Sequence, residues 1–165
     1  GGTRYSFPGP QALAGSSGRH LEACRLGYRD RYVAATASIV DGDPRILGRI
    51  AGLSLDEARS ALLSLPGVGP KAADCILLFG YHRLEAFPVD VWIRRIMHEN
   101  YLPPPSGTGG PSDKGERRIR RFGQDYFGAY AGYAQEYLFC ARNLLSGGPV
   151  RSLRPSSPGT PPARR

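Results

Sequence analysis

Lys71 stands in an awkward place. It lies in "LPGVGPKAAD", residues 65–74, just after two glycines and two prolines and just as a helix begins. A cation at a helix N-terminus meets the positive end of the dipole, at a cost of about 0.3–1 kcal/mol. Two readings are open. Lys71 is a phosphate-binding lysine beside a turn, or it is a nucleophile. The helix end, partial burial and nearby cations all favour a neutral amine. A neutral amine can attack carbon and form a Schiff base.

Other residues extend that chemistry. Asp90 in "FPVDVW" falls where another helix starts. It is either a plain N-cap or a carboxylate that stabilises cationic charge at a reacting sugar, and one residue can do both. Cys75 follows Lys71 by four residues and so shares its helix face. It is either a small core residue or part of a site. Gln135 and Phe139 have the same i,i+4 spacing. A ring that stacks on an extruded base, beside an amide that bonds its edge, is how enzymes hold a flipped nucleotide. Core packing is the plainer alternative for Phe139.

Helical elements must position these groups. Ser54 and Glu57 form an S-x-x-E capping box, with Ala58, Ala61, Leu62 and Leu65 on one face behind it. Pro66, Gly67 and Gly69 break that helix, and Pro70 suits the first turn of the next. Helix, Leu-Pro-Gly-Val-Gly and helix make a helix–hairpin–helix. Both glycines can take positive φ and let a phosphate approach the backbone. The unpaired first-turn N–H groups can bind that phosphate, without regard to base sequence. An ordinary helical hairpin is the alternative.

The pattern predicts further helices over 20–25, ending at Gly27; within "YRDRYVAATASIV"; from Val91 to Asn100; from Glu116 to Tyr126; and from Tyr130 to Leu145. The fold class is all-α, with about seven helices. Residues 1–18 read as a Gly, Ser and Pro-rich lead-in, 103–115 as a mobile loop and 146–165 as a disordered basic tail. The expected domain is 1–145.

Bulk composition narrows the partners. The 165 residues suffice for one domain with a real core. A net charge of +8 favours an anionic partner, nucleic acid first. Cys24, Cys75 and Cys140 are too scattered for a disulfide framework, a zinc site or an iron–sulfur cluster, so an intracellular protein is expected. Its compartment would be cytoplasm or nucleoid in a bacterium and the nucleus in a eukaryote. No apolar run reaches a membrane span of about 18 residues. A monomer is expected, acting on double-stranded DNA.

"LPGVGPKAADC", "FPVDVW", "LGYRDRYV" and "AGYAQEYLF" together resemble segments of 8-oxoguanine DNA glycosylase/AP lyases, in the helix–hairpin–helix–GPD superfamily. The resemblance covers about residues 5–145. It implies a bifunctional enzyme that excises 8-oxoguanine opposite cytosine through a lysine Schiff base and cuts the strand by β-elimination. Lys71 would attack C1′, and Asp90 would assist glycosidic cleavage. Cys75 and Phe139 would sandwich the base, and Gln135 would contact its Watson–Crick edge. Tyr28 would wedge into the vacated site and Arg29 would contact the estranged cytosine. Gly67, Gly69 and the N–H of Ala72 would hold a phosphate. No cofactor is implied beyond a monovalent cation on the hairpin carbonyls. Trp92 stands where some members carry histidine, and the phosphate contact there passes to Arg94 and Arg95.

There is one departure. Members of this branch begin with an antiparallel β domain, which supplies part of the damage pocket, and nothing in the sequence matches it. The chain, opening at Gly1 in mid-pattern, is expected to be the catalytic part of a longer protein. Two other functions stay open: a related glycosylase for another damaged base, and a non-catalytic DNA-binding module.

Overall fold

The computed structural model describes residues 2–16, 18–103 and 113–142. The described residues are all-α, and none is in a strand. The chain divides into two compact units, Gly1–Gly69 and Pro70–Arg165.

The first unit holds α1 (Pro10–Ala14), α2 (Gly18–Ala23), a 3₁₀ turn (Gly27–Arg29), α3 (Asp30–Gly42), α4 (Ile46–Ala51) and α5 (Leu55–Leu63). α1 and α2 pack on α3, and α4 packs on α5. The capping box at α5 forms in full: Glu57 N–H donates to Ser54 Oγ, and Ser54 N–H donates to Glu57 Oε2 at 3.0 Å. Behind it Ala58, Leu62 and Leu65 are buried, as the spacing requires. α1 and α4 were not expected, because each is too short to show a helical period against Gly and Pro neighbours. Asp43 organises the start of α4. Its carboxylate accepts from Arg45 N–H and pairs with Arg49. The helix placed over 20–25 runs over 18–23 instead. Arg25 and Gly27 both take positive φ, 53° and 60°, in the chain that follows it.

The second unit holds α6 (Pro70–Cys75), a widened π turn (Ile76–Gly80), α7 (Val91–Asn100), α8 (Asp113–Phe127), a 3₁₀ turn (Gly128–Tyr130) and α9 (Ala131–Cys140). Its core joins Phe87, Val89, Ile93, Met97, Leu102, Ile119 and Ala131. Tyr101, Phe122, Phe127, Leu138 and Phe139 pack around it. Two glycines allow the tight fit. A Cβ on Gly123 would stand 2.7 Å from the Phe87 ring. A Cβ on Gly132 would stand 2.9 Å from the Ala86 carbonyl oxygen. Gly132 N–H also donates to the Leu84 carbonyl at 2.7 Å, which ties α9 to the strand-like approach to α7.

α7 matches its expected range. α8 starts three residues before Glu116, inside the segment read as loop, and α9 is described to Cys140. The rest of that loop, 104–112, and the tail, 146–165, lie outside the described residues.

Candidate active site

In the second unit, Asp90 is the best-defined group. It is the N-cap of α7, and its Oδ1 accepts from Trp92 N–H at 2.9 Å and Ile93 N–H at 2.8 Å. Ile93 is fully buried, so the core fixes the turn that holds the carboxylate. Oδ2 takes no hydrogen bond among the described residues, which leaves one oxygen for a substrate. The N-cap reading is therefore correct, and it is compatible with the electrostatic one.

Lys71 is the second residue of α6, and it is exposed. The partial burial expected of it is absent, because the first turn of α6 points this side chain outward. It makes no ion pair among the described residues. Ala72, next to it, is half-buried, and its first-turn N–H has no partner within the helix. Cys75 closes α6 and is half-buried as a free thiol.

Gln135 is buried at 4% exposure on α9, and its Oε1 has no hydrogen-bond partner among the described residues. A buried acceptor left unpaired costs about 1–3 kcal/mol, so a ligand that donates to this oxygen would recover that cost. Phe139, one turn on, packs against the core, and the Arg142 guanidinium lies 4.4 Å from its ring centroid. Trp92 is 40% exposed. The two arginines nominated for phosphate are already engaged: Arg94 pairs with Glu116 at 3.4 Å and Arg95 with Glu99 at 2.8 Å.

In the first unit, Gly67 and Gly69 behave differently. Gly67 has φ +76°, and a Cβ there would stand 2.6 Å from Tyr32. Gly69 is outside the positive-φ range expected of it, and a Cβ there would meet nothing within 4 Å. One glycine makes the turn, and the other leaves an open approach to the backbone. Thr36 on α3 steadies the turn by donating to the Pro66 carbonyl at 3.0 Å. Sequence reasoning missed Tyr32 and Thr36 as supports of the turn, although their i,i+4 spacing puts both on one face of α3.

The 3₁₀ turn presents Tyr28 at 64% exposure. Arg29 lies 4.6 Å over its ring, and Tyr32 meets it edge to face at 6.4 Å. An exposed aromatic braced in this way is a rigid projection. Among the described residues, no group of three or more His, Cys, Asp or Glu could hold a metal ion. No helix there is long and apolar enough to cross a membrane.

No family model matches the chain. Individual proteins do. A probable N-glycosylase/DNA lyase of Methanothermobacter thermautotrophicus is 39% identical over 158 residues, covering 84% of this chain and 48% of the relative. The N-glycosylase/DNA lyase OGG1 of Arabidopsis thaliana is 34% identical, over 83% of this chain and 38% of the relative. Both similarities run over more than four fifths of this chain. The crystal structure of Clostridium acetobutylicum 8-oxoguanine glycosylase/lyase, bound to double-stranded DNA with cytosine opposite 8-oxoguanine, superposes with a TM-score of 0.73. It is 34% identical, over 85% of this chain and 46% of that one. The chain is similar to these proteins over most of its own length, and it spans about half the length of the relatives it matches or less.

Proposed function

We propose that the chain carries the catalytic centre of a DNA glycosylase/AP lyase that acts on 8-oxoguanine opposite cytosine in duplex DNA. The observation that carries this reading is the buried, unpaired Oε1 of Gln135. A buried acceptor without a partner among the described residues suits the N–H groups on the Watson–Crick edge of an extruded purine. Likeness to an 8-oxoguanine glycosylase/lyase solved on such DNA supports the substrate.

The roles follow. The Lys71 amine attacks C1′, and the C1′–N9 bond breaks with its electron pair leaving on the base, which takes up a proton. Asp90, held through Oδ1, turns Oδ2 to the positive charge that grows on the sugar. The C1′–O4′ bond then opens, O4′ takes a proton, and an iminium links Lys71 to C1′. Loss of a C2′ proton expels the 3′ phosphate by β-elimination. Cys75 and Phe139 flank the base. Tyr28 fills the vacated stack, and Arg29 faces the unpaired cytosine. Gly67, Gly69 and the N–H of Ala72 are each assigned to the DNA backbone, and a monovalent cation would sit on the hairpin carbonyls. Trp92 lies beside the next phosphate, which Arg94 or Arg95 reaches by exchanging its carboxylate partner.

Sodium borohydride reduces the iminium to a stable covalent complex. Trapping on a duplex with 8-oxoguanine opposite cytosine is the expected result, and Lys71→Gln abolishes it. Folded protein that traps nothing on that duplex or on an abasic one refutes the proposal. Trapping on the abasic duplex alone assigns the chain a working lysine without 8-oxoguanine recognition.

A further inference from the structure

The outer face of α8 carries charge that the site above does not use. Five of the chain's 22 Lys and Arg fall within residues 114–121. Lys114, Arg117, Arg118 and Arg121 recur at i, i+3, i+4 and i+7, which places them on one helix face. All four are exposed. The opposite face is locked, because Ile119 is fully buried and Gly123 sits against Phe87. The helix cannot roll, so the basic stripe stays outward.

We propose that this stripe is an auxiliary contact surface for the phosphate backbone of duplex DNA, separate from the hairpin. The inference rests on the reading that duplex DNA is the partner. Seven helical steps span about 10 Å. That length matches about three phosphates along one strand at 3.4 Å of axis each.

The existing partners of the stripe release easily. Arg121 pairs with Asp125 at 3.1 Å, but both side chains are more than half exposed, and pairs of that kind contribute little. Among the described residues, Arg118 reaches only the Pro103 carbonyl, at 3.4 Å. Arg117 and Lys114 make no ion pair with any residue whose side chain is described. Glu116 is a further carboxylate on the same helix. It is half-buried and turned to Arg94 of α7, so it does not cancel the stripe. Three of the four cations are arginine, whose planar fork matches phosphate oxygens in pairs. Such contacts carry no base preference.

Binding of the full chain to an undamaged duplex, measured between 50 and 200 mM salt, tests this. The comparison is with the variant Lys114→Gln, Arg117→Gln, Arg118→Gln, Arg121→Gln, whose fold is checked by circular dichroism. Each lost phosphate contact removes about 0.9 from the slope of log K against log salt. The expected change is about 2–3 in slope, with affinity at 50 mM lowered at least tenfold. Arg117→Lys with Arg118→Lys and Arg121→Lys, which keeps the charge, retains the slope. An unchanged slope in the glutamine variant overturns the inference, and so does an unmodified chain that binds no duplex. So does a glutamine variant that loses binding to polyglutamate but keeps its duplex slope, since the stripe then serves an acidic protein. Borohydride trapping reads the catalytic proposal separately: a chain that binds duplex through the stripe and traps nothing keeps this inference and loses that one.

Discussion

The starts of α6 and α7 hold opposite charges in opposite ways. At α7 the anion of Asp90 sits where a helix welcomes it, with two N–H donors and a buried core behind. At α6 the cation of Lys71 sits where a helix resists it, exposed and without an ion pair among the described residues. The first arrangement adds stability and fixes an atom in space. The second adds none, so its value lies in what the amine can reach. The same division runs through the other candidate residues. Gln135 is locked in α9, while Tyr28 and Arg29 project. Groups that the proposed chemistry needs preorganised are built into packing, and groups that it would bring to DNA are left outside it.

That contrast breaks most severely at Gly132. Gly132→Val pushes a side chain against the Ala86 and Leu84 carbonyls, which cannot move aside. The expected loss is about 3 kcal/mol, read from the urea midpoint. Gly67→Ala comes next. Its left-handed φ alone costs about 1–2 kcal/mol, and the clash with Tyr32 adds to it. Gly69→Ala, by contrast, leaves stability nearly unchanged and weakens duplex binding.

Asp90 separates structure from chemistry. Asp90→Ala removes the cap and costs about 1 kcal/mol, whereas Asp90→Asn keeps it within a few tenths. Both slow base release in single-turnover excision, so the asparagine variant is a stable but impaired protein. Gln135→Leu runs the other way. It removes an unpaired buried acceptor and raises stability by about 1 kcal/mol. Trapping on the 8-oxoguanine duplex falls, while trapping on an abasic duplex persists.

The smallest effect is acid lability in the first unit. The Ser54 hydroxyl and N–H hold the Glu57 carboxyl below its usual range, and hydrogen bonding to Arg49 does the same for Asp43. A lowered folded-state value means that the stabilisation is complete above the unfolded-state values, 4.5 and 3.8, and is lost as pH falls through the folded ones. A modest loss of α5 helicity below pH 4.5 is expected by circular dichroism, and Glu57→Gln removes the Glu57 share of that dependence.

Much of this was legible in the sequence, where the signal was local. The capping box, the Asp90 cap and the hairpin breakers are short-range chemistry, and each appears where its residues require. The apolar periods located α3 and α5, and the start signal at Asp90 located α7. The short helices α1 and α4 gave no period to read. The different work of Gly67 and Gly69 depends on Tyr32, 35 residues earlier for Gly67, and such pairing is invisible to spacing. The same holds for Gln135. Its type and its distance from Phe139 suggested an edge reader, but that its oxygen is buried and unpaired depends on the packing around α9.

The most direct test of the central claim is borohydride trapping by the unmodified chain and by Lys71→Gln, on 8-oxoguanine and abasic duplexes side by side. Lys71 is exposed at a helix start, so the glutamine variant keeps its stability or gains a few tenths of a kcal/mol. The account predicts a covalent complex on both duplexes with the unmodified chain and on neither with the variant. Trapping that survives in Lys71→Gln, or its absence from the folded unmodified chain, contradicts it.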